Sequence, residues 1–122
     1  FTFNLEDPGL TIAFAMANSG ENPKDIENIM NKEYNKLKSE LISDRELEKI
    51  RNQIESDFIS SNSRMDGIAE SLANYYLFYK NTNLINEEIN RYLAVTKEDI
   101  MNAAKKYYNN ENRVTLYYLP KK

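Results

Sequence analysis

The apolar positions between Ser43 and Lys80 organise the chain. Leu47, Ile50, Ile54 and Phe58, then Met65, Ile68, Ala69, Leu72, Ala73 and Tyr76, recur at spacings of three and four, which places them along one helical face. Drawn as a single helix at about 1.5 Å per residue, the stretch would run roughly 55 Å. A compact chain of this length has a radius of gyration of only about 14 Å. The helix must therefore break. The polar run Ser60-Ser61-Asn62-Ser63 predicts where, because short hydroxyl and amide side chains compete for backbone hydrogen bonds and Ser or Asn can cap a second helix. Two packed helices are expected, and they need a further layer to lie on.

Upstream, the period changes from helical to two. Phe1, Phe3 and Leu5 alternate with Thr2 and Asn4, and Asp7-Pro8-Gly9 supplies a turn. From Leu10 to Asn18 the alternation resumes, with Leu10, Ile12, Phe14 and Met16 on one face and Thr11, Ala13, Ala15 and Ala17 on the other. A face of small residues lets another layer approach closely, so this strand is predicted to be central and covered. Asn22 then reads as an N-cap, with Pro23 at the first helical position and Asp25 in the first turn. The helix it opens carries Ile26, Ile29, Met30, Tyr34, Leu37 and Leu41 on one stripe.

Two capping-box spacings, Ser43 with Glu46 and Thr96 with Asp99, mark further helix starts. Between them Asn81-Thr82-Asn83 interrupts the chain, and Leu84, Ile85, Ile89, Tyr92 and Leu93 define a shorter helix. Ile100, Ala103, Ala104 and Tyr107 line the last one, which Asn109-Asn110-Glu111-Asn112 closes, Asn being tolerated in a left-handed cap. Val114 to Leu119 is nearly uninterrupted apolar and β-favouring sequence, ended by Pro120, and is predicted to be a buried strand. The order gives an α+β fold, a small and mostly antiparallel sheet covered on one side by a layer of four to five helices.

Composition narrows the chemistry. With 122 residues, 41% hydrophobic and 29% charged, the chain fits one modest domain. Because Phe1 falls inside an apparent strand, residues 1–122 are expected to be a single partial domain of a longer protein. Cysteine is absent, which excludes disulfides, thiolate metal sites and cysteine nucleophiles from these residues. Histidine is absent as well, and with it Ser/His triads and the commonest zinc ligand. A net charge of -3 argues against nucleic acid as a partner. No apolar run approaches the roughly 20 residues of a membrane span, so no membrane partner is expected.

The candidate acid pairs are Asp66 with Glu70, one helical turn apart, and Glu87 beside Glu88. Paired acids can do acid/base work or hold a cation, but acids on helices this charged are more economically read as solvated surface. Tyr75, Tyr76, Tyr79, Tyr107, Tyr108, Tyr117 and Tyr118 offer stacking platforms, yet their spacing favours core and core-rim packing. Gly9, Gly20 and Gly67 are isolated, so no phosphate-cradling loop exists. No catalytic, cofactor-binding or metal-ligating residue is assigned.

Taken together, ISDRELEKIRNQIESDF, SRMDGIAESLANYYLFY and RYLAVTKEDIMNAAKKYYNNENRVTLYYLP resemble the C-terminal half of one repeat of the insulinase/pitrilysin-type zinc metallopeptidases. The most specific part is VTKEDIMNAAKKYY followed by an apolar strand and Pro120, and the similarity spans essentially the whole chain. The resemblance implies two such repeats clamped around a peptide substrate. In that family zinc is held by two His of an inverted H-x-x-E-H helix and a downstream Glu, all in the other half of the catalytic repeat. Zinc is thus expected in the parent protein's missing half, and these residues alone should be catalytically silent. Some members place an Arg and a Tyr near the strand corresponding to Leu10 to Asn18, and residues 1–22 contain neither. The chain then belongs either to the zinc-bearing repeat or to a non-catalytic repeat or processing-peptidase-like subunit. The implied partners are the remainder of its own repeat, a second homologous repeat or subunit, and a peptide substrate. In isolation, unpaired apolar sheet edges should invite self-association. A third reading, an unrelated helical interaction module, requires that Val114 to Leu119 not pair with the sheet of Leu10 to Asn18.

Overall fold

Side-chain capping of the backbone sets most of the element boundaries. The computed structural model describes residues 2–3 and 9–119. They form β1 (Thr2–Phe3), β2 (Leu10–Thr11), α1 (Pro23–Ser39), α2 (Asp44–Ser61), α3 (Met65–Asn74) continued by a π turn (Tyr75–Tyr79), α4 (Leu84–Leu93) and α5 (Lys97–Tyr107). Of the described residues 63% are helical, beside a small two-stranded antiparallel sheet, compatible with an α+β class. It divides into two compact units, Phe1–Leu41 with Ile100–Lys122, and Ile42–Asp99.

The helix starts are where the sequence puts them. Asn22 accepts from the Lys24 N–H at 3.1 Å and Pro23 occupies the first turn. Ser43 Oγ accepts from Glu46 N–H at 3.2 Å while Glu46 Oε2 accepts from Ser43 N–H at 2.9 Å, so both halves of the capping box form. Thr96 and Asp99 make the same reciprocal pair, at 3.1 and 2.9 Å. Each satisfies helix N–H groups that have no intrahelical partner.

Within the unit Ile42–Asp99 the break between α2 and α3 falls at residues 62–64, as expected, but its chemistry differs. Asn62 caps the end of α2 rather than the start of α3: its Nδ2 donates to Phe58 O at 3.0 Å, and its Oδ1 accepts from Ser71 Oγ at 3.0 Å. Arg64 holds the N-cap position of α3 without a side-chain bond. The helix α2 packs chiefly against α4, and it meets α3 at the tight corner of Ser61 and Gly67. Arg51 fastens that arrangement, donating from Nη2 to Val95 O at 2.7 Å just beyond α4. It occupies the stripe position predicted for Ile50, which is 44% exposed. Leu47 is buried, and Ile54 and Phe58 are half-buried, as their spacing requires.

In α3 the inward stripe runs through Ile68, Ser71, Leu72 and then Tyr75, one position before the predicted Tyr76. These positions keep the i, i+3, i+4, i+7 spacing of an α-helix on a face rotated from the predicted one, and the π turn begins only at Tyr75. Lys80 ends it in the left-handed conformation, φ 55°. The closing residues 109–112 do not use that conformation. Instead Asn109 donates from Nδ2 to Lys106 O at 3.2 Å and accepts from Asn112 N–H at 3.0 Å.

The predicted strands are largely unbuilt among the described residues. Only Thr2 with Thr11 and Phe3 with Leu10 pair. Beyond the half-buried Ile12 the segment predicted as central and covered is neither strand nor covered, with Phe14 71% and Met16 81% exposed. Val114 to Leu119, predicted to be a buried strand, is extended chain outside any sheet, and Leu116 is 89% exposed. A strand holds only when its backbone groups and one side-chain face both find partners, and a lone pair of short strands is marginal. No described segment supplies the third strand or the apolar layer. Phe1, Asn4, Leu5, Asp7, Pro8 and Pro120 of the predicted strands and turn lie outside the described residues.

The consequence is an open surface. Leu47 and Ala104 are the only described hydrophobic residues that are buried. The accessible surface is 10576 Å² for 14.3 kDa. A compact monomer of that mass exposes about 6,800 Å², and even two separate bodies of half the mass about 8,200 Å².

Gly67 carries a test of the α2–α3 corner. A Cβ there would stand 1.8 Å from Ser61 O and 3.0 Å from Ser61 C, both backbone atoms. In an ordinary helix Gly→Ala stabilises by roughly 0.5–1 kcal/mol. Here the sign should reverse, Gly67→Ala lowering stability in urea by about 1–3 kcal/mol; a gain would show that the corner opens freely.

Candidate functional site

Arg113 to Leu119 shows how residues within one unit are held for contact rather than for catalysis. Every second side chain turns to α1. Arg113 donates from Nη1 to Asn31 Oδ1 and from Nη2 to Glu27 Oε1, the latter at 3.4 Å. Thr115 Oγ1 donates to Glu27 Oε1 at 3.5 Å, and Tyr117 Oη donates to Glu27 Oε2. Glu27 thus receives three donors spaced two residues apart, a period only an extended chain provides. The bond to the Glu27 carboxylate, with burial second, raises the Tyr117 hydroxyl above its ordinary value. The alternate residues point away. Val114 is 85%, Leu116 89% and Tyr118 fully exposed.

The same unit anchors the start of this segment. Lys38, in the last turn of α1, donates to Tyr108 O at 2.9 Å, and the Tyr34 and Tyr108 rings lie 5.2 Å apart. The sequence signal for Glu27 was hidden, because a single acid in the first turns of a charged helix looks like solvated surface. Only its three partners, more than 80 positions away, reveal it.

The unit Ile42–Asp99 carries a second cluster. Tyr75, in the π turn, donates its hydroxyl to Glu88 Oε2 on α4. Burial first, then the bond to Glu88 and its charge, push the Tyr75 hydroxyl upward, and burial with the Glu88 charge raises Tyr92. Beside this joint the aromatic run stays outside: Tyr76 is 61%, Phe78 51% and Tyr79 66% exposed. Lys80 Nζ lies 5.2 Å from the Tyr76 ring centroid.

The acid pairs do not act as pairs. Glu88 binds Tyr75 whereas Glu87 accepts from Asn83 Nδ2, so neighbouring acids have different partners. Asp66 takes both Arg64 Nε and Nη2, at 3.1 and 3.2 Å, and is 71% exposed. Asp66 and Glu70 share an open hollow of about 500 Å³ with Arg64, Ser60, Ser71 and Asn74. Among the described residues no three acidic side chains converge as a cation site. The tyrosines assigned to core and rim are mostly surface, Tyr107 58% and Tyr118 fully exposed, and Tyr117, which reaches Glu27, is still 44% exposed. No helix among the described residues is long and apolar enough to cross a membrane. Large hydrophobic residues are exposed in each unit, among them Phe14, Met16 and Leu116 in one and Met65, Tyr76 and Leu77 in the other.

No family model matches the chain, and no curated protein or solved structure matches it.

The Tyr75–Glu88 joint has a measurable signature. A tyrosine whose folded value is raised contributes stability that is fully present below its ordinary value, about 10, and is lost as pH rises through the raised one. Absorbance at 295 nm through alkaline pH should show a late-ionising component among the nine tyrosines. Tyr75→Phe should remove the latest-ionising part of it, leaving Tyr92 and Tyr117, and Glu88→Gln should move that part to lower pH. Superimposable titrations for all three proteins would contradict the joint.

Proposed function

We propose that the chain is a non-catalytic structural portion of an insulinase-like zinc metalloendopeptidase, the C-terminal half of one repeat. The observation that carries this reading is the apolar surface left without a layer, above all the extended Arg113–Leu119 with Val114, Leu116 and Tyr118 facing out. A half-repeat whose sheet is completed by other protein leaves such segments. In this reading the Leu10 to Asn18 and Val114 to Leu119 segments belong to one mostly antiparallel sheet, and the helices cover one side of it. The α2 and α3 helices, carrying the segments that resemble the family, back the sheet and form part of the wall of a peptide chamber.

The chain supplies no step of the hydrolysis. It has no His, hence neither zinc ligands of the family type nor the motif that places the activating Glu. Zinc and the water it activates fall to the missing half, and peptide is gripped between this repeat and a second one or a homologous subunit. The alternative within the same architecture is a catalytically inactive, processing-peptidase-like subunit acting in assembly or peptide binding. The third reading, a helical interaction module, has one observation of its own: among the described residues Val114 to Leu119 does not pair with Leu10 to Asn18.

The coding sequence upstream of Phe1 separates these. An intact H-x-x-E-H in the same repeat is the expected result. A degenerate motif without a catalytic partner moves the chain to the inactive subunit, and an unrelated upstream sequence leaves the interaction module. The purified chain should bind no stoichiometric zinc and cleave no peptide; one tightly held zinc per chain would overturn the assignment of the metal to the other half.

A further inference from the structure

The segment Arg113–Leu119 rests on α1 through side chains alone. Its backbone N–H and C=O groups make no hydrogen bond to any described residue, and every one of its residues is exposed. What holds it is the row Arg113, Thr115 and Tyr117, and all three donate to one carboxylate, Glu27. The segment's other side-chain bond runs from Arg113 to Asn31. Fixing the backbone of one residue costs at least as much as a typical hydrogen bond contributes. So short a set of bonds therefore holds the segment only narrowly, and most of that set depends on a single group.

We propose that Glu27 is an acid-sensitive latch: protonation of its carboxylate releases Arg113–Leu119 from α1 as one piece and leaves the helices folded. Convergence makes the release a single event, because the three bonds share their acceptor. A proton taken from solvent removes the charge that attracts Arg113 and covers an oxygen that had been accepting, so the strong charge-assisted bonds are lost together. The charged and titratable groups that face Glu27 are Arg113 and Tyr117 from the segment, while on α1 itself Lys24 and Asn31 stand one turn to either side. Arg and Lys stay charged on acidification, Asn does not titrate, and a tyrosine keeps its proton. The bond to Glu27 holds the Tyr117 proton more firmly still. Among these groups only the carboxylate changes state below neutral pH.

The helix beneath does not need the latch. The start of α1 is capped by Asn22, a neutral side chain that accepts from the Lys24 N–H at 3.1 Å, and Lys38 in its last turn donates to Tyr108 O at 2.9 Å. Neither bond involves Glu27. The inference rests on contacts within one unit and stands whether or not the peptidase reading does.

Electron paramagnetic resonance of a nitroxide label tests it. The chain has no cysteine, so Leu116→Cys, at an outward position 89% exposed, takes one label. At neutral pH the label should report a slow, ordered segment. Adding Glu27→Gln should free it at neutral pH with an unchanged helical circular dichroism signal, whereas adding Asn31→Ala should leave it slow. Acidification to about pH 4, within the range of carboxylate protonation, should free the label in the parent protein and change nothing in the Glu27→Gln protein. A label already free at neutral pH, one still slow in the Glu27→Gln protein, or one still slow in acid would each overturn the proposal. So would helices that melt together with the release, or equal release by Asn31→Ala.

Discussion

Apolar surface has to be covered, and in this chain the covering is the scarce resource. Amphipathic helices and alternating strands bury their apolar side only when a second layer faces it. Here Leu47 and Ala104 are the buried hydrophobic residues among those described, while Phe14, Met16, Met65, Val114 and Leu116 stand more than two-thirds exposed. Against an unfolded chain of its mass, the folded one hides roughly half its surface, where a compact domain of this size hides about two thirds. Almost every other feature follows from that shortfall.

Polar contacts supply the order that packing does not. Helices in folded proteins draw most of their stability from tertiary burial, but the elements here are bounded by side-chain bonds to backbone: Asn22 on α1, Ser43 with Glu46 on α2, Thr96 with Asp99 on α5. Long-range order also comes from polar groups. Glu27 gathers Arg113, Thr115 and Tyr117, and Arg51 reaches Val95 O. The Asp44–Lys97 ion pair, 2.7 Å long, lowers the Asp44 carboxyl and raises the Lys97 amine. With Asp44 92% exposed it adds little to stability. Such contacts fix where segments lie without enclosing them.

How much of this could be read from the residues depends on the range of the interaction concerned. Capping pairs join residues three apart, so Ser43–Glu46 and Thr96–Asp99 were legible, and so was the break after Ser60. Helical stripes were legible where the repeat is regular, as at Ile54, Phe58, Ile68 and Leu72. The inward face of α3 runs through Ser71 and Tyr75 in place of Ala73 and Tyr76, and Ser71 is held there by a bond to Asn62 that apolar periodicity does not register. Gly67 resembled an isolated helix glycine, although the Ser61 carbonyl approaches it too closely for any side chain. Strand burial was misjudged for a different reason. The alternation in Leu10 to Asn18 records which face seeks cover, not whether cover is present. Glu27 and Glu88 were equally hidden, because their partners are distant in sequence.

The central claim is that the chain folds its elements without enclosing a core of its own. The heat-capacity change on unfolding measures that enclosure, since it scales with the surface hidden in the folded state. A globular chain of 122 residues should give about 1.5–1.8 kcal/mol/K. Calorimetry at concentrations where the chain is monomeric should give about three quarters of that value, in proportion to the surface it hides. The full globular value in the monomer would contradict the account.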